Sequence, residues 1–351
     1  MAGVTYKCDS CGAYLNFDPE SQKWKCPFCG SIFAEGDVIP EQQEETVPEE
    51  EAAQESQQAS SSQVVYRCQS CGSEIMTDET TVATHCYYCH SPVVLQGKMT
   101  DDLKPDKVLP FTVSKEKAVE TFMNWAKGKK YVPENFFQET QVQQMTGVYY
   151  PHFVTECTVD GSFQGEGTRS DITTAGNYII THTHHFRMRR EGRLTFRNIM
   201  RPALQKANRK LSDGIHPFPL EKSKNFSDAY LTGFLAERRD IAKEDIRSDI
   251  EGEVSNYVQP MLIDGHGYQT CRGSTSTRLS SINSQYVLLP TWVLTYPNSK
   301  NPDDPYYFAM NGCTGEICGK LPVDKKKLLR NAALLALAVF AVVCLLSYFM
   351  F

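Results

Sequence analysis

Residues 8–29 read CDSCGAYLNFDPESQKWKCPFC and residues 68–89 read CQSCGSEIMTDETTVATHCYYC. A shift of 60 positions superimposes Cys8, Cys11, Cys26 and Cys29 on Cys68, Cys71, Cys86 and Cys89, with fourteen residues between the two pairs each time. The flanks repeat as well, VTYKCDSCG beside VVYRCQSCG, so this is an internal duplication. The spacing suits a metal. Structural Zn²⁺ takes four thiolates at about 2.3 Å in a tetrahedron, and a two-residue gap aims both sulfurs of a pair at one point. Gly12, Gly30 and Gly72 follow the second cysteine of a pair, where such a turn asks for positive φ. Modules of about 30 residues are too small to be stabilised by burial alone, so metal must supply their folding free energy. The expectation is two zinc ribbons, residues 1–35 and 64–97, holding two structural Zn²⁺ ions, one each. Disulfides are disfavoured, because no secretory signal is read at Met1–Val4 and the five remaining cysteines are an odd number. A thioredoxin-like setting for redox chemistry is missing.

The far end is as distinctive. Residues 331–351, NAALLALAVFAVVCLLSYFMF, carry no charge, and a helix of that length spans about 30 Å, the thickness of a bilayer core. Lys325, Lys326, Lys327 and Arg330 stand directly before it, which predicts that the preceding chain stays cytoplasmic. Residues 328–351 are therefore expected to anchor the protein, single-pass, in the cell membrane.

Net charge is −6 over 351 residues, and seven glutamates between 41 and 63, unopposed by Lys or Arg, account for all of it. This excludes a strongly basic nucleic-acid binder. Residues 36–63 read as an acidic disordered linker that leaves the first ribbon free to move, and 98–108 as a shorter connector. Residues 109–323 read as one α+β domain. Ser114 caps a helix to Lys127, and Ile246, Ile250, Val254 and Tyr257 or Val258 fall at helical spacing, which predicts an amphipathic helix over about 239–258. Strands are expected over 147–165 and 176–199, with turns at Asp160-Gly161 and Glu191-Gly192, and a hairpin from Gln285 to Met310. Tyr149-Tyr150-Pro151 and Leu288-Leu289-Pro290 share a pattern that hints at two related sheets. The fold class expected is thus multidomain: two small β zinc ribbons, an α+β middle domain and one C-terminal transmembrane helix.

The paired ribbons resemble the zinc ribbon of transcription factor IIB. FSDAYLTGFLAE at 226–237 followed by Arg239-Asp240-Ile241, LPTWVL at 289–294 and MNGCTGE at 310–316 resemble segments of a bacterial family of zinc-ribbon-containing membrane proteins. Members sometimes carry helicase or primosomal-protein labels on account of the ribbons. The resemblance implies the architecture and carries no catalytic residue with it. A helicase is not expected, because the chain has no G-x-x-x-x-G-K-[ST] loop.

Three chemistries compete for the function. His182 and His184 share a strand face and could serve a catalytic metal if His152, His216 or Glu156 supplied a third ligand. The basic run Arg187–Lys210 could meet lipid headgroups, an acidic protein or nucleic acid, unless acids such as Asp240, Glu244, Asp245, Asp249 and Glu251 balance it. Cys157, Cys271, Cys313 and Cys318 are expected to be small apolar fillers rather than reactive thiols. The ribbons are near neutral, Lys7, Lys23 and Lys25 against Asp9, Asp18 and Glu20 in the first, and each Zn(Cys)₄ centre adds about −2. That disfavours phosphate binding and favours protein docking through Trp24 and Phe28, or Tyr87 and Tyr88. The expected role is a membrane-anchored, non-catalytic adaptor for a protein partner. Nucleic-acid binding stands second and a metal-dependent enzyme third.

Overall fold

The structure is a computed structural model that describes residues 3–38, 40–41, 63–67, 74–86, 92–95, 103–133, 142–264, 267–296 and 306–350. Its centre is a strand of 30 residues, Thr146–Ala175, which pairs antiparallel with Tyr178–Pro202 on one side and with Thr270–Tyr296 on the other. Alternation explains its length. Phe153, Cys157, Val159 and Phe163 are buried on one face, while Glu156, Thr158, Asp160 and Ser162 alternate with them and face outward.

Neither Asp160-Gly161 nor Glu191-Gly192 is a turn. Gly161 and Gly192 lie opposite each other in mid-strand. Helix Asp245–Ile263 packs over them: a Cβ on Gly161 would stand 2.4 Å from Val258 Cγ1, and one on Gly192 3.1 Å from Leu262 Cδ2. Glycine is needed here for close approach, not for reversal. The chain reverses instead at Gly176-Asn177, with Gly176 at φ +62° in the first central position of a two-residue hairpin loop. Gly161→Ala is expected to force the helix off the sheet and cost about 1–3 kcal/mol. Thermal melting of the full chain in detergent, beside Gly36→Ala as an exposed control whose φ is not positive, reads this.

The two proline-bearing segments sit side by side. Tyr149 opposes Pro290 and Pro151 opposes Leu288, around a local two-fold axis. The relation extends outward. Leu235–Glu237 runs parallel to Val148-Tyr149, and Lys107–Val108 runs parallel to Val287-Leu288. Each short strand leads into a helix (Lys115–Lys127 after Lys107–Val108, Asp245–Ile263 after Leu235–Glu237), then a long strand and a return strand. The middle of the chain is therefore two strand–helix–strand–strand units, each lending its short strand to the long strand of the other.

The cysteine modules extend this sheet. Beyond Leu235–Glu237 it continues through Thr81–His85 and Pro92–Leu95 to Gly3–Tyr6 and Pro40–Glu41. Against expectation, the first module is docked. Trp24 is 1% exposed, its Nε1 donates to Ala229 O at 2.8 Å, and its ring lies 5.2 Å from Tyr230 and 5.3 Å from Phe17. Most of the acidic linker, residues 42–62, lies outside the described residues.

Helix Lys325–Met350 ends the chain. Asp324 caps it, accepting from the amides of Lys326 and Lys327, and donates its own amide to Tyr131 O. Side chains from Leu334 to Leu346 are exposed all round, so this helix is apolar on every face and long enough to cross a membrane.

Candidate metal centre

Cys8 and Cys11 sit on the turn after strand Gly3–Tyr6, Cys26 and Cys29 on the turn between strands Lys23–Lys25 and Ile32–Phe33. Gly12 (φ +71°) and Gly30 (φ +76°) follow each pair, and their amides donate to Cys8 O and Cys26 O. The four sulfurs all lie within 4.8 Å of one another, with Cys8–Cys29 and Cys11–Cys26 both at 3.5 Å. A tetrahedral thiolate site with bonds near 2.3 Å has edges of about 3.8 Å, so the quartet fits one ion. Cys8 and Cys26 are buried, Cys11 and Cys29 exposed. The Ser31 hydroxyl at 3.1 Å and its backbone lower the Cys29 thiol to about 6, while at Cys11, against the lowering backbone bond at Ala13, the neighbouring sulfurs raise the thiol.

Of the second quartet, Cys86 is buried at the end of strand Thr81–His85, while Cys68, Cys71 and Cys89 lie outside the described residues, as do Tyr87 and Tyr88. The docking aromatics of the first module separate sharply. Trp24 is internal, whereas Phe28 is 82% exposed between Pro27 and Cys29. Phe28 borders a cleft of about 920 Å³ between the metal module, the start of helix Lys115–Lys127 and the central sheet, lined also by His85, Phe234 and Trp292.

The histidine strand does not assemble a second centre among the described residues. His182 opposes Asp171, and His184 Nε2 is 3.4 Å from Asp171 Oδ2, both exposed. His152 and Glu156 lie on the same strand as Asp171 but 19 and 15 residues back, roughly 60 and 50 Å away at 3.3 Å per residue. Glu156 is instead engaged by Arg197 at 3.0 Å. The basic run finds partners mostly unlike those expected. Arg193 binds Asp160, Lys206 binds Asp78 and Glu237, and Arg201 pairs with Glu253. Burial raises the thiols of Cys157, Cys318 and Cys313, the last to about 11. Protonated and weakly nucleophilic, they behave as apolar fillers.

Sequence reading missed a buried polar pair. His152 is 3% exposed, its Nδ1 lies 3.2 Å from Tyr150 O and its Nε2 2.7 Å from Ser212 Oγ. Burial lowers its pKa to about 4, so the ring is neutral at pH 7, donating from Nδ1 and accepting from the Ser212 hydroxyl. The pair borders a cavity of about 450 Å³ with Tyr150, Lys206 and Tyr307. Nothing local signals it, since Ser212 is 60 residues from His152.

Fold and site together define a mixed α/β protein with a four-cysteine cluster that could hold a metal and, among the described residues, one helix long and apolar enough to span a membrane. No family model matches the chain, and no solved structure matches it. A curated relative, "Uncharacterized protein YdjG" of Bacillus subtilis (strain 168), is 30% identical over 331 residues, covering 92% of each chain. The chain belongs to the YdjG family.

Proposed function

We propose that this protein is a zinc-ribbon adaptor anchored in the cell membrane by its C-terminal helix, holding a protein partner on the cytoplasmic side. The observation that carries the reading is Phe28. The metal-fixed turn presents one large apolar side chain to solvent at the mouth of a wide cleft, while Phe17 and Trp24 of the same module are spent on internal packing. A rigid aromatic beside a concavity is the usual anchor of a protein contact. Four thiolates at tetrahedral spacing fit Zn²⁺, and the duplicated cysteines assign a second ion to the second module. The basic residues Lys325–Lys327 and Arg330 beside the helix support a cytoplasmic soluble part, where thiolates stay reduced. The likeness to transcription-factor-IIB-type ribbons is one of architecture in this reading, since the module carries no positive patch for phosphate.

Phe28→Asp should leave metal content unchanged and lower partner retention on the purified full-length protein by at least about tenfold, as loss of a buried aromatic anchor does. Partner retention at the wild-type level would move docking away from the ribbon.

A further inference from the structure

The three long strands form a blade covered on one face by helix Asp245–Ile263. Among the described residues no element covers its other face. On the return strand Arg187, Arg189, Arg193 and Arg197 point to that side and are exposed. Register adds Arg272, which shares the neighbour Glu166 with Arg187, and Arg278, which shares Asp160 with Arg193. Six arginines thus stand on one face against four carboxylates, Glu156, Asp160, Glu166 and Glu191. The remaining positions between them are Ser, Thr, Gln and Asn. Arg189, Arg193 and Arg197 pair with Glu191, Asp160 and Glu156, whereas Arg187, Arg272 and Arg278 make no ion pair with a described residue.

The third strand gives out at Thr270, opposite Thr168, and the hairpin continues alone to Gly176. The same register carries the arginine face onto Ile172 and Ile179, which are 69% and 75% exposed. Tyr178 beside them is exposed too. Two strands without a covering layer are marginal in water, and exposed isoleucines at their tip mark a contact surface.

We propose that this face lies on an anionic lipid surface, that of the membrane crossed by helix Lys325–Met350, with the arginines among the headgroups and Ile172 and Ile179 entering the acyl boundary. The inference rests on reading that helix as the anchor. Arginines and exposed isoleucines sharing one face suit a surface that lies in the headgroup layer with its apolar end at the acyl boundary. Geometry adds to this. Thr146 pairs with Val293 and Val293 with Ala309, on the strand that leads toward the anchor, so the tip stands far along the strands from it, roughly 95 Å at 3.3 Å per residue. A blade tethered at one end and lipid-seated at the other would lie along the membrane. The tether makes the contact intramolecular, so weak attraction per arginine is enough.

The test uses full-length protein in vesicles of phosphatidylcholine, with and without phosphatidylglycerol, brominated on the acyl chains. In Ile179→Trp the introduced indole reports bilayer contact above the constant background of Trp24, Trp125 and Trp292. Its emission should fall about twofold in the anionic vesicles, and recover in phosphatidylcholine alone or when Arg187, Arg272 and Arg278 are changed to Ser. No quenching in either vesicle, with the protein still floating with lipid, would overturn the proposal and give the face to a protein or nucleic acid. Equal quenching with or without anionic lipid and arginines would overturn the role of the charged face. Failure to float would instead defeat the anchor reading beneath it.

Discussion

Cys26→Ser is expected to remove one metal ion per chain and to unfold residues 3–38 while the long-stranded sheet persists. Cys26 is fully buried, and the module's own core is little more than Leu15, Phe17 and Trp24. The free energy of a structural zinc site in a small module is about 10–16 kcal/mol at neutral pH, more than so few buried side chains can replace. Trp24 reports the event. Its indole is sealed against Ala229 and Tyr230, so loss of the module should shift its emission to the red, with Trp125 unchanged. Metal counting on the same sample separates two cases. Loss of one ion means the two modules fold separately. Loss of both would mean that they fold as a unit through the pairing of Gly3-Val4 with Val94-Leu95. A metal-free variant with Trp24 still buried would show that docking, not metal, holds the module.

What could be read from the residues, and what could not, follows from the range of each interaction. The cysteine turns and the apolar helix are local: spacing and composition over twenty or thirty residues decide them. The strands were legible from alternation, but their lengths were not, because Asp160-Gly161 spells a turn and only the presence of Val258, nearly a hundred residues later, makes that glycine a packing contact. The segments at 226–237, 289–294 and 310–316 were recognisable as patterns before their physical work was visible. Ala229 and Tyr230 are the landing surface of the metal module. Trp292 closes a cluster in which Phe111 stacks on Phe234 at 4.2 Å. Asn311, wholly buried, donates to Ile215 O and Pro217 O and accepts from the amides of Cys313 and Thr314. Each of these ties together parts of the chain that no window of sequence contains. The local two-fold was faintly legible as one repeated tripeptide pattern, since helices and turns diverged around the strand pair that faces itself across the axis.

The buried histidine gives the second large effect, and its sign is fixed by which form the fold holds. An unfolded histidine titrates near 6.5, whereas His152 is lowered to about 4 by burial, with His216 lowering it further and Asp213 opposing. Between those values the unfolded chain binds a proton that the folded one refuses, so stability falls as the pH drops through this window and is fully present above it. The shift corresponds to roughly 3 kcal/mol between pH 7 and pH 4. For a folded unit of this size that is about 2–4 °C of melting temperature per kcal/mol. His152→Gln keeps an amide that can reach Ser212 but cannot titrate. It should melt lower than wild type at pH 7, having lost the fitted ring, yet lose several degrees less on acidification to pH 4.5. His216, whose pKa burial also lowers, stays in both proteins, so only its coupling to His152 enters the difference. Parallel pH profiles for the two proteins would mean that the His152 ring ionises inside the fold, and that the Ser212 hydroxyl is not held by a neutral imidazole.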